Sequence, residues 1–396
     1  MDTVVAAPHA LIDRAIAGPT RVRVRAGRIV DVRAGHPDSP GLAGGLLTPG
    51  LLDIQVNGAV GVDFAEVTEH GMRRVAGWLP ETGVTRFLPT LITAPVPELL
   101  AQARAVLAAS AALPGDTGAI PLGVHLEGPF LSSVRHGVHE AGLMVDPTPD
   151  AIERILTDPV VASGLRMLTL APERAGALAA IRTLVTAGVL VSVGHTDATA
   201  AQTRAAADAG ARMVTHLFNA QRGLGHREPG VPGAAFNDRR FTLGLIGDLA
   251  HVAPDVCKLV FQVAGDRVAL VTDAVAAAGM PPGPYQLGGQ EVFLTDDGVP
   301  RSADGTIAGS ALTLDRAVRN IVSLGVDPAV ALSAATITPA DTIGEPTLGR
   351  LEPGAVADLV WWDEDLRPRR VWTAGRLVYD AETADYATPV VALPTH

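Results

Sequence analysis

The chain has a single cysteine, Cys257, in 396 residues, and this scarcity excludes two kinds of structure. One thiol cannot form an internal disulfide, and it cannot build a cysteine-based zinc site. Any metal ion held by this protein therefore needs histidine, aspartate or glutamate ligands.

Long hydrophobic segments are missing as well. No run of about 18 uncharged apolar residues occurs, so the sequence predicts no membrane span. The first five residues, MDTVV, lack a positively charged region followed by an apolar one, so no signal peptide is predicted. We therefore expect a cytoplasmic protein without a membrane partner.

Positive charge is in short supply. The chain carries 31 Lys and Arg against 42 Asp and Glu, for a formal net charge of −11. Nucleic acid is not expected as a partner, because binding it requires a broad basic surface. An anionic small molecule remains compatible with this balance if it binds in a local basic pocket. The hydrophobic content of 47% indicates a well-buried globular chain.

The two ends of the chain resemble each other. Residues 1–48 and 350–396 contain short alternating runs separated by glycines, which is typical of antiparallel strands. They predict a small β-sandwich domain built from both termini. A chain of this length favours one large domain beside such a smaller one.

The middle, residues 49–349, alternates apolar runs with alanine-rich helical patterns. Continuous apolar strands with helical crossovers indicate a parallel sheet covered on both faces. Eight such repeats favour an α/β fold of the (β/α)8 TIM-barrel type, with an open doubly wound sheet as the alternative. The runs are 51–57, 84–90, 120–127, 166–172, 189–195, 211–216, 242–248 and 268–273.

Several runs end on side chains that bind metals. Glu127, His195 and His216 each close an apolar run, and the ends of barrel strands meet at one rim. One carboxylate and two imidazoles form a zinc-type ligand set that leaves a coordination position open, as in catalytic sites. Taken singly, either histidine would more often be a hydrogen-bonded core residue; the metal interpretation depends on both standing at strand ends with Glu127.

Asp273 ends the eighth run, where a carboxylate can exchange protons with a water molecule activated by a metal. A helix N-cap is the alternative, since alanines follow. His139 lies on the loop after Glu127, and composition alone does not separate a substrate contact from a surface histidine. Arg227 and His251 are candidates for holding an anion, although Arg227 could instead pair with Glu228.

A set of motifs resembles the N-acetylglucosamine-6-phosphate deacetylases of the amidohydrolase superfamily. The resemblance covers nearly the whole chain, and the order and spacing of the motifs make it specific. The closing motif is shared by amidohydrolases in general. The motifs are TPGLLDIQVNG (48–58), HLEGPF (125–130), LAPE (170–173), VGHT (193–196), THLFNA (215–220), REPG (227–230), LVTDA (270–274) and GRLEPGAVADLV (349–360).

The resemblance implies a role for each candidate. Glu127, His195 and His216 hold the metal, Asp273 is the general base and then the acid, and His139 polarises the carbonyl. It also implies a homodimer in which Arg227 reaches across the interface. The expected substrate contacts are Val138, Asn219, Ala220, Arg227, Asp248, His251, Ile307, Ala308 and Gly309.

The first run departs from the two-metal members of the superfamily. Many amidohydrolases carry His-x-His there, whereas this chain has Gln55 and Asn57, which are weak zinc ligands suited to orienting substrate or water. We therefore expect one divalent ion per subunit, Zn²⁺ first, with Fe²⁺, Mn²⁺ or Co²⁺ as alternatives. Smaller departures at Val138, Gln221 and His226 concern substrate preference.

The function expected from the resemblance is hydrolysis of N-acetyl-D-glucosamine 6-phosphate to D-glucosamine 6-phosphate and acetate in amino-sugar catabolism. A metal-bound water would attack the acetamide while Asp273 moves the proton. Two enzyme alternatives are the galactosamine-epimer deacetylase and another amidohydrolase, such as a dihydroorotase-like cyclic amide hydrolase. The latter uses a carboxylated lysine, for which no lysine ends a run here. A catalytically silent barrel with a binding role is the non-enzymatic alternative.

Overall fold

The computed structural model of the protein describes residues 2–35 and 44–383. Parts of the predicted terminal β-domain, residues 36–43 and 384–396, lie outside the described residues. The strands are β1 (Thr3–Ala7), β2 (His9–Ile12), β3 (Ala15–Ala17), β4 (Thr20–Arg25), β5 (Arg28–Ala34), β6 (Leu46–Pro49), β7 (Leu51–Val56), β8 (Gly58–Ala59), β9 (Val62–Asp63), β10 (Val84–Ile92), β11 (Ile120–Pro121), β12 (Val124–Glu127), β13 (Leu165–Leu170), β14 (Leu190–Val193), β15 (Met213–Val214), β16 (Thr242–Ile246), β17 (Val268–Val271), β18 (Gly283–Leu287), β19 (Gln290–Leu294), β20 (Pro300–Arg301), β21 (Leu359–Trp362), β22 (Pro368–Thr373) and β23 (Arg376–Asp380).

The helices lie mainly between the barrel strands. They are α1 (Glu69–Trp78), α2 (Val96–Ala111), α3 (Pro149–Thr157), α4 (Val161–Gly164), α5 (Ala177–Thr186), α6 (Ala200–Ala209), α7 (Gly230–Asn237), α8 (Pro254–Ala264), α9 (Leu314–Ser323), α10 (Pro328–Ser333) and α11 (Ile337–Thr342). Short 3-10 turns occupy Phe64–Glu66, Leu79–Thr82, Ala141–Leu143 and Gly265–Arg267. Within the described ranges, no helix is both long enough and apolar enough to cross a bilayer.

The parallel strands form the predicted barrel. Their order is β7-β10-β12-β13-β14-β15-β16-β17, with the short β11 beside β10. The ring closes between β17 and β7, where Asp273 N donates to Gln55 O (2.9 Å) and Asn57 N donates to Ala274 O (2.7 Å). Each strand falls within or overlaps one of the eight apolar runs, so the (β/α)8 prediction is confirmed.

Burial explains why the sequence forms this sheet. All six residues of β7 are buried, because a parallel strand is covered on both faces by helices and by the barrel interior. The covering helices start at ordinary signals. At α6, for example, Thr199 and Gln202 form a capping box that satisfies the first backbone N–H groups.

Four chemistry-bearing residues share a position relative to their strands. His195, His216, Asp248 and Asp273 each stand two residues beyond the last residue of β14, β15, β16 and β17 respectively. The carboxyl ends of barrel strands face one rim, so this offset brings the four side chains to one end. The backbone there is strained, with φ of 44°, 27° and 52° at His195, His216 and Asp273.

The terminal strands build two further sheets. One has the order β1-β4-β5, and the other, β23-β22-β21-β6-β2-β3, mixes strands from both ends of the chain. A separate apolar core includes Val22, Ile29, Leu47, Leu359 and Trp372. This arrangement agrees with a small β-domain built from both termini, whereas its boundaries at 48/49 and 349/350 stay a prediction.

Three local features differ in part from what the sequence pattern predicts. The many Gly and Pro residues of 217–241 predict no helix, but the stretch contains α7, because Gly230, Val231, Pro232 and Ala235 are small or apolar enough to be buried in its short turns.

The pattern of 283–308 predicts a hairpin with its turn at 296–298. That turn is present between β19 and β20, but the segment forms a three-stranded sheet, with a further turn at Gly288, where φ is positive. The pattern also predicts a helix through 310–320, whereas α9 begins at Leu314, because Ser310 bonds to the strand-end segment instead.

Candidate metal centre and active-site cavity

Three side chains converge at the rim of the barrel. Glu127 Oε1 lies 3.0 Å from His216 Nε2 and 3.3 Å from His195 Nε2. The two imidazole nitrogens are 3.1 Å apart. All three side chains are almost completely buried. Nearby strands supply them. β14 and β15 are adjacent, and β13 alone separates them from β12.

The backbone fixes the orientation of His195. Its Nδ1 lies 3.1 Å from the carbonyl oxygen of Arg135, which can only accept a hydrogen bond. The ring proton is therefore assigned to Nδ1, and the Nε2 lone pair faces Glu127 and His216. A histidine that donates its other N–H to a carbonyl is the usual form of a metal ligand.

The electrostatics of the trio indicate strong coupling. Burial raises the pKa of Glu127, but the hydrogen bonds from His195 and His216 outweigh it and hold the pKa well below its ordinary value of 4.5. Burial lowers the pKa of His216, but the hydrogen bond to Glu127 outweighs it, so that pKa is raised. The site thus stabilises an ionised carboxylate facing two imidazoles.

This donor set fits a divalent cation. Two imidazole nitrogens 3.1 Å apart, with a carboxylate oxygen 3.0 Å from one of them, converge on a point where a cation would satisfy all three groups. Atoms bound at about 2.0–2.2 Å to one tetrahedral ion lie about 3.3–3.6 Å apart, close to the distances seen here. Glu127, His139 and His195 also present donor atoms within 4.8 Å of one another, so His139 lies at the edge of the same centre.

His139 faces the centre with a defined tautomer. Thr93 N donates to its Nδ1 (3.3 Å), and the Thr93 hydroxyl lies 2.8 Å from the same atom. The backbone contact assigns the ring proton to Nε2. Burial and the neighbouring His195 keep the pKa of His139 well below 6.5, so the ring is neutral and can donate through Nε2.

Asp273 is held by two amides. Asn57 Nδ2 donates to Asp273 Oδ1 at 2.7 Å, and Gln55 Nε2 donates to the same oxygen at 3.1 Å. Gln55 Nε2 also lies 3.3 Å from both oxygens of Glu127. Burial, with the negative charge of Glu127, raises the pKa of Asp273 to about 6. The carboxyl group can therefore gain and lose a proton near neutral pH.

A cavity of about 440 Å³ opens above these groups. It collects most of the predicted site residues, including both catalytic candidates. The predicted residues along its wall are Asn57, Glu127, Val138, His139, His195, His216, Asn219, Ala220, His251, Asp273, Ile307 and Gly309.

Four predicted residues lie outside the cavity wall. Arg227 is exposed and forms no hydrogen bond or ion pair with another described residue, and Glu228 instead accepts from the backbone of Ala200 and Gly230. Asp248 lies behind His251, with Oδ2 2.6 Å from its Nδ1. Ala308 is completely buried. Gln55 donates through Nε2 to the Asp273 carboxylate but does not line the cavity.

Sequence reasoning missed several residues of this site. Thr93, which orients His139, lies one residue beyond β10 and resembled an ordinary loop threonine. Asp197 binds both Arg135 and Arg222, and so joins the loops that follow three different strands. Ile92, Val134 and Leu287 add to the apolar lining of the cavity, and nothing in the sequence around them indicates a contact with the site.

Comparison with known proteins identifies the family. The amidohydrolase family model matches residues 46–391. The chain belongs to the amidohydrolase family. An N-acetylgalactosamine-6-phosphate deacetylase from Escherichia coli O157:H7 is 41% identical over 334 residues, which cover 84% of this chain and 87% of that protein. An N-acetylglucosamine-6-phosphate deacetylase from Vibrio furnissii is 38% identical over 353 residues, or 88% and 87% of the two chains.

Solved structures agree with this assignment. A variant of the N-acetyl-D-glucosamine-6-phosphate deacetylase from Mycobacterium smegmatis, in complex with N-acetyl-D-glucosamine-6-phosphate, superposes with a TM-score of 0.89. The two chains are 38% identical, and the match covers 95% of this chain and 99% of the other. This amidohydrolase therefore shares its whole architecture with a deacetylase of phosphorylated amino sugars.

Proposed function

We propose that this amidohydrolase hydrolyses N-acetyl-D-glucosamine 6-phosphate to D-glucosamine 6-phosphate and acetate, as part of amino-sugar catabolism in the cytoplasm. The observation that carries the proposal is the convergence of Glu127, His195, His216 and Asp273 at the base of one cavity. Relatives named for this reaction match almost the full chain, so the same chemistry is proposed for these residues.

Glu127, His195 and His216 would hold one divalent cation, and Zn²⁺ suits a set of one carboxylate and two imidazoles. When bound, the ion would lower the pKa of a water molecule and so supply the nucleophile. Gln55 and Asn57 turn their amide N–H groups toward Asp273. Such donors repel a second cation, which supports a single ion per subunit.

Asp273 moves the proton. The ionised carboxylate accepts a proton from the attacking water as the new C–O bond forms at the acetamide carbon. It then delivers this proton to the amide nitrogen as the C–N bond breaks, which releases acetate and the free amine. A pKa of about 6 suits both steps. His139, with the proton on Nε2, donates to the carbonyl oxygen as negative charge develops there.

The sugar phosphate requires a positive group at the far end of the cavity. His251 lines the wall, and Asp248 fixes its ring by accepting from Nδ1. Arg227 is exposed, free of described partners and outside the cavity of its own chain. We infer a homodimer in which Arg227 of one subunit reaches the phosphate in the other. Val138, Asn219, Ala220 and the segment 307–309 contact the sugar.

An acetate-release assay tests the reaction. The substrates are the 6-phosphates of N-acetylglucosamine, N-acetylgalactosamine and N-acetylmannosamine, each with and without added Zn²⁺. We expect the highest kcat/KM with the glucosamine derivative and a requirement for metal. The galactosamine compound is the necessary comparison, because a relative named for that epimer is 41% identical. A higher kcat/KM with the galactosamine compound would identify that compound as the substrate instead. The absence of acetate release from all three compounds would contradict the proposal.

A further inference from the structure

Asp53 occupies an unusual place in the barrel interior. Its side chain belongs to β7, is 1% exposed, and forms no ion pair with a described residue. Burial raises its pKa to about 7. It does not line the active-site cavity. Burying a carboxyl group costs free energy unless hydrogen bonds compensate for the loss of water.

Those hydrogen bonds lead to the segment that carries Asp273. Asp53 Oδ2 accepts from the Thr272 hydroxyl at 2.6 Å, and Oδ1 accepts from Thr272 N and Gln55 N, both at 3.3 Å. The two oxygens of a carboxylate can accept all three hydrogen bonds, whereas an apolar side chain can accept none. The bonds cross the seam between β7 and β17, where the backbone ladder contributes few contacts.

The Thr272 hydroxyl also spans Asp273. Its oxygen accepts from Ala274 N at 3.2 Å, which closes a short turn around Asp273 at its φ of 52°. On the other side, Ser310 donates through Oγ to Thr272 O (2.6 Å) and through N to Asp273 O (2.9 Å). The strained turn is therefore held from both sides, and Asp53 supplies the only carboxylate among the described contacts of Thr272.

We propose that Asp53 is a positioning residue for the reaction, acting through the Thr272 hydroxyl to hold Asp273 in the orientation that its proton transfer needs. The inference rests on the proposed deacetylase function. Alternate side chains of β7 and of the residue that follows it have different contacts. Asp53 bonds to the turn, while Gln55 and Asn57 bond to the Asp273 carboxylate itself.

The matched pair Thr272→Val and Thr272→Ser tests the hydroxyl. Valine keeps the branched shape and loses the hydrogen bonds, whereas serine keeps the hydroxyl. We expect Thr272→Val to lower kcat about 10- to 100-fold with KM nearly unchanged, because misplacing a catalytic group has this effect. Thr272→Ser should retain most of kcat. Equal kcat in the valine variant and the wild type would overturn the proposal.

A double-mutant cycle tests whether Asp53 acts through Thr272. We expect Asp53→Asn to lower kcat, and the double variant with Thr272→Val to be no slower than Thr272→Val alone, because the two side chains form one unit. Losses in kcat that multiply in the double variant would show that Asp53 acts independently and would refute the assignment. Equal metal content and unchanged far-UV circular dichroism across the set show that the variants are folded.

Hydrogen exchange separates this inference from the proposed reaction. Exchange of the Asp273 backbone N–H, followed in a peptide that spans 268–276, needs no substrate. We expect faster exchange in Thr272→Val than in Thr272→Ser. Equal rates would show that the Thr272 hydroxyl does not hold the Asp273 turn, even if the enzyme is active. If the wild type releases no acetate while the two variants still differ in exchange, the deacetylase function is refuted and the structural part of the inference stays intact.

Discussion

The side chain of Asn57 donates a 2.7 Å hydrogen bond to Oδ1 of Asp273, and Gln55 adds a second donor to the same oxygen. Among the described residues, neither amide bonds to the other oxygen. The carboxylate is thus held by one atom and left to exchange a proton through Oδ2. Burial and the negative charge of Glu127 raise the pKa of Asp273 to about 6, and the hydrogen bond from Asn57 acts in the opposite direction.

Replacing Asp273 by asparagine should abolish proton transfer while sparing the metal ligands. We expect kcat to fall about 10²- to 10⁴-fold, the usual contribution of a general base, with metal content per subunit unchanged. Acetate release and elemental analysis measure the two quantities. The exposed Asp208, changed to asparagine, is the matched control and should keep wild-type activity. Substantial turnover by Asp273→Asn would remove Asp273 from this role.

Glu127→Gln should weaken metal retention. The change removes the negative charge that faces His195 and His216 while keeping nearly the same shape, and an ion held by two neutral imidazoles is bound less tightly. We expect the variant to lose metal during dialysis against a chelator at concentrations that the wild type tolerates. Elemental analysis after dialysis gives the result directly. Equal retention by both proteins would exclude Glu127 as a ligand.

Arg227→Ala should separate phosphate binding from the chemistry. Since Arg227 is exposed and forms no hydrogen bond or ion pair with a described residue of its own chain, its removal should not disturb the fold. We expect KM for N-acetylglucosamine 6-phosphate to rise at least tenfold, with little change for unphosphorylated N-acetylglucosamine. Arg182→Ala, on the exposed side of α5, is the control. If both substrates respond equally to Arg227→Ala, the residue does not bind the phosphate.

The buried Asp53 should make stability depend on pH. Its pKa is about 7 in the fold against an ordinary value of 3.8, so the native state binds the proton more tightly across this window. The contribution of Asp53 to the free energy of unfolding is therefore present at low pH and is lost as the pH rises from about 4 to about 7. Asp53→Asn lacks this titration.

Thermal midpoints at pH 5 and pH 8 give the measurement. We expect the difference, wild type minus Asp53→Asn, to be more favourable to the wild type at pH 5 than at pH 8. Other carboxyls, such as the half-buried Asp63, whose pKa is raised to about 6, titrate in both proteins and cancel in the comparison. A difference that does not change with pH would show that Asp53 is not protonated in the native state near neutrality.

The barrel could be predicted because its signal is local. Each strand lies in a short apolar run of the sequence. Several of these runs end on a residue such as His195 or Asp273, whose polarity contrasts with the run before it. The three candidate ligands followed from this contrast and from the rule that strand ends share a rim. Their distances confirm that the residues meet, and their roles stay a prediction.

The remaining features depend on contacts between distant segments. Thr93 meets His139 across 46 residues, and Thr272 meets Asp53 across 219. Nothing in the sequence around either threonine distinguishes it from threonines elsewhere in the strands. Helix α7 was missed for a related reason, since the burial of Gly230 and Pro232 against neighbouring elements overrides their low helical propensity.

The seam between β7 and β17 also bears on how preparations of this protein should be judged. Seven pairs of neighbouring strands form hydrogen-bonded ladders, while this eighth junction consists of isolated backbone bonds and side chains from β7. If this junction opened, Glu127, His195 and His216 would remain at the ends of β12, β14 and β15, whereas Asp273 would lose the contacts that orient it. For the proposed enzyme, turnover per bound ion is therefore a better measure of competent protein than metal content alone.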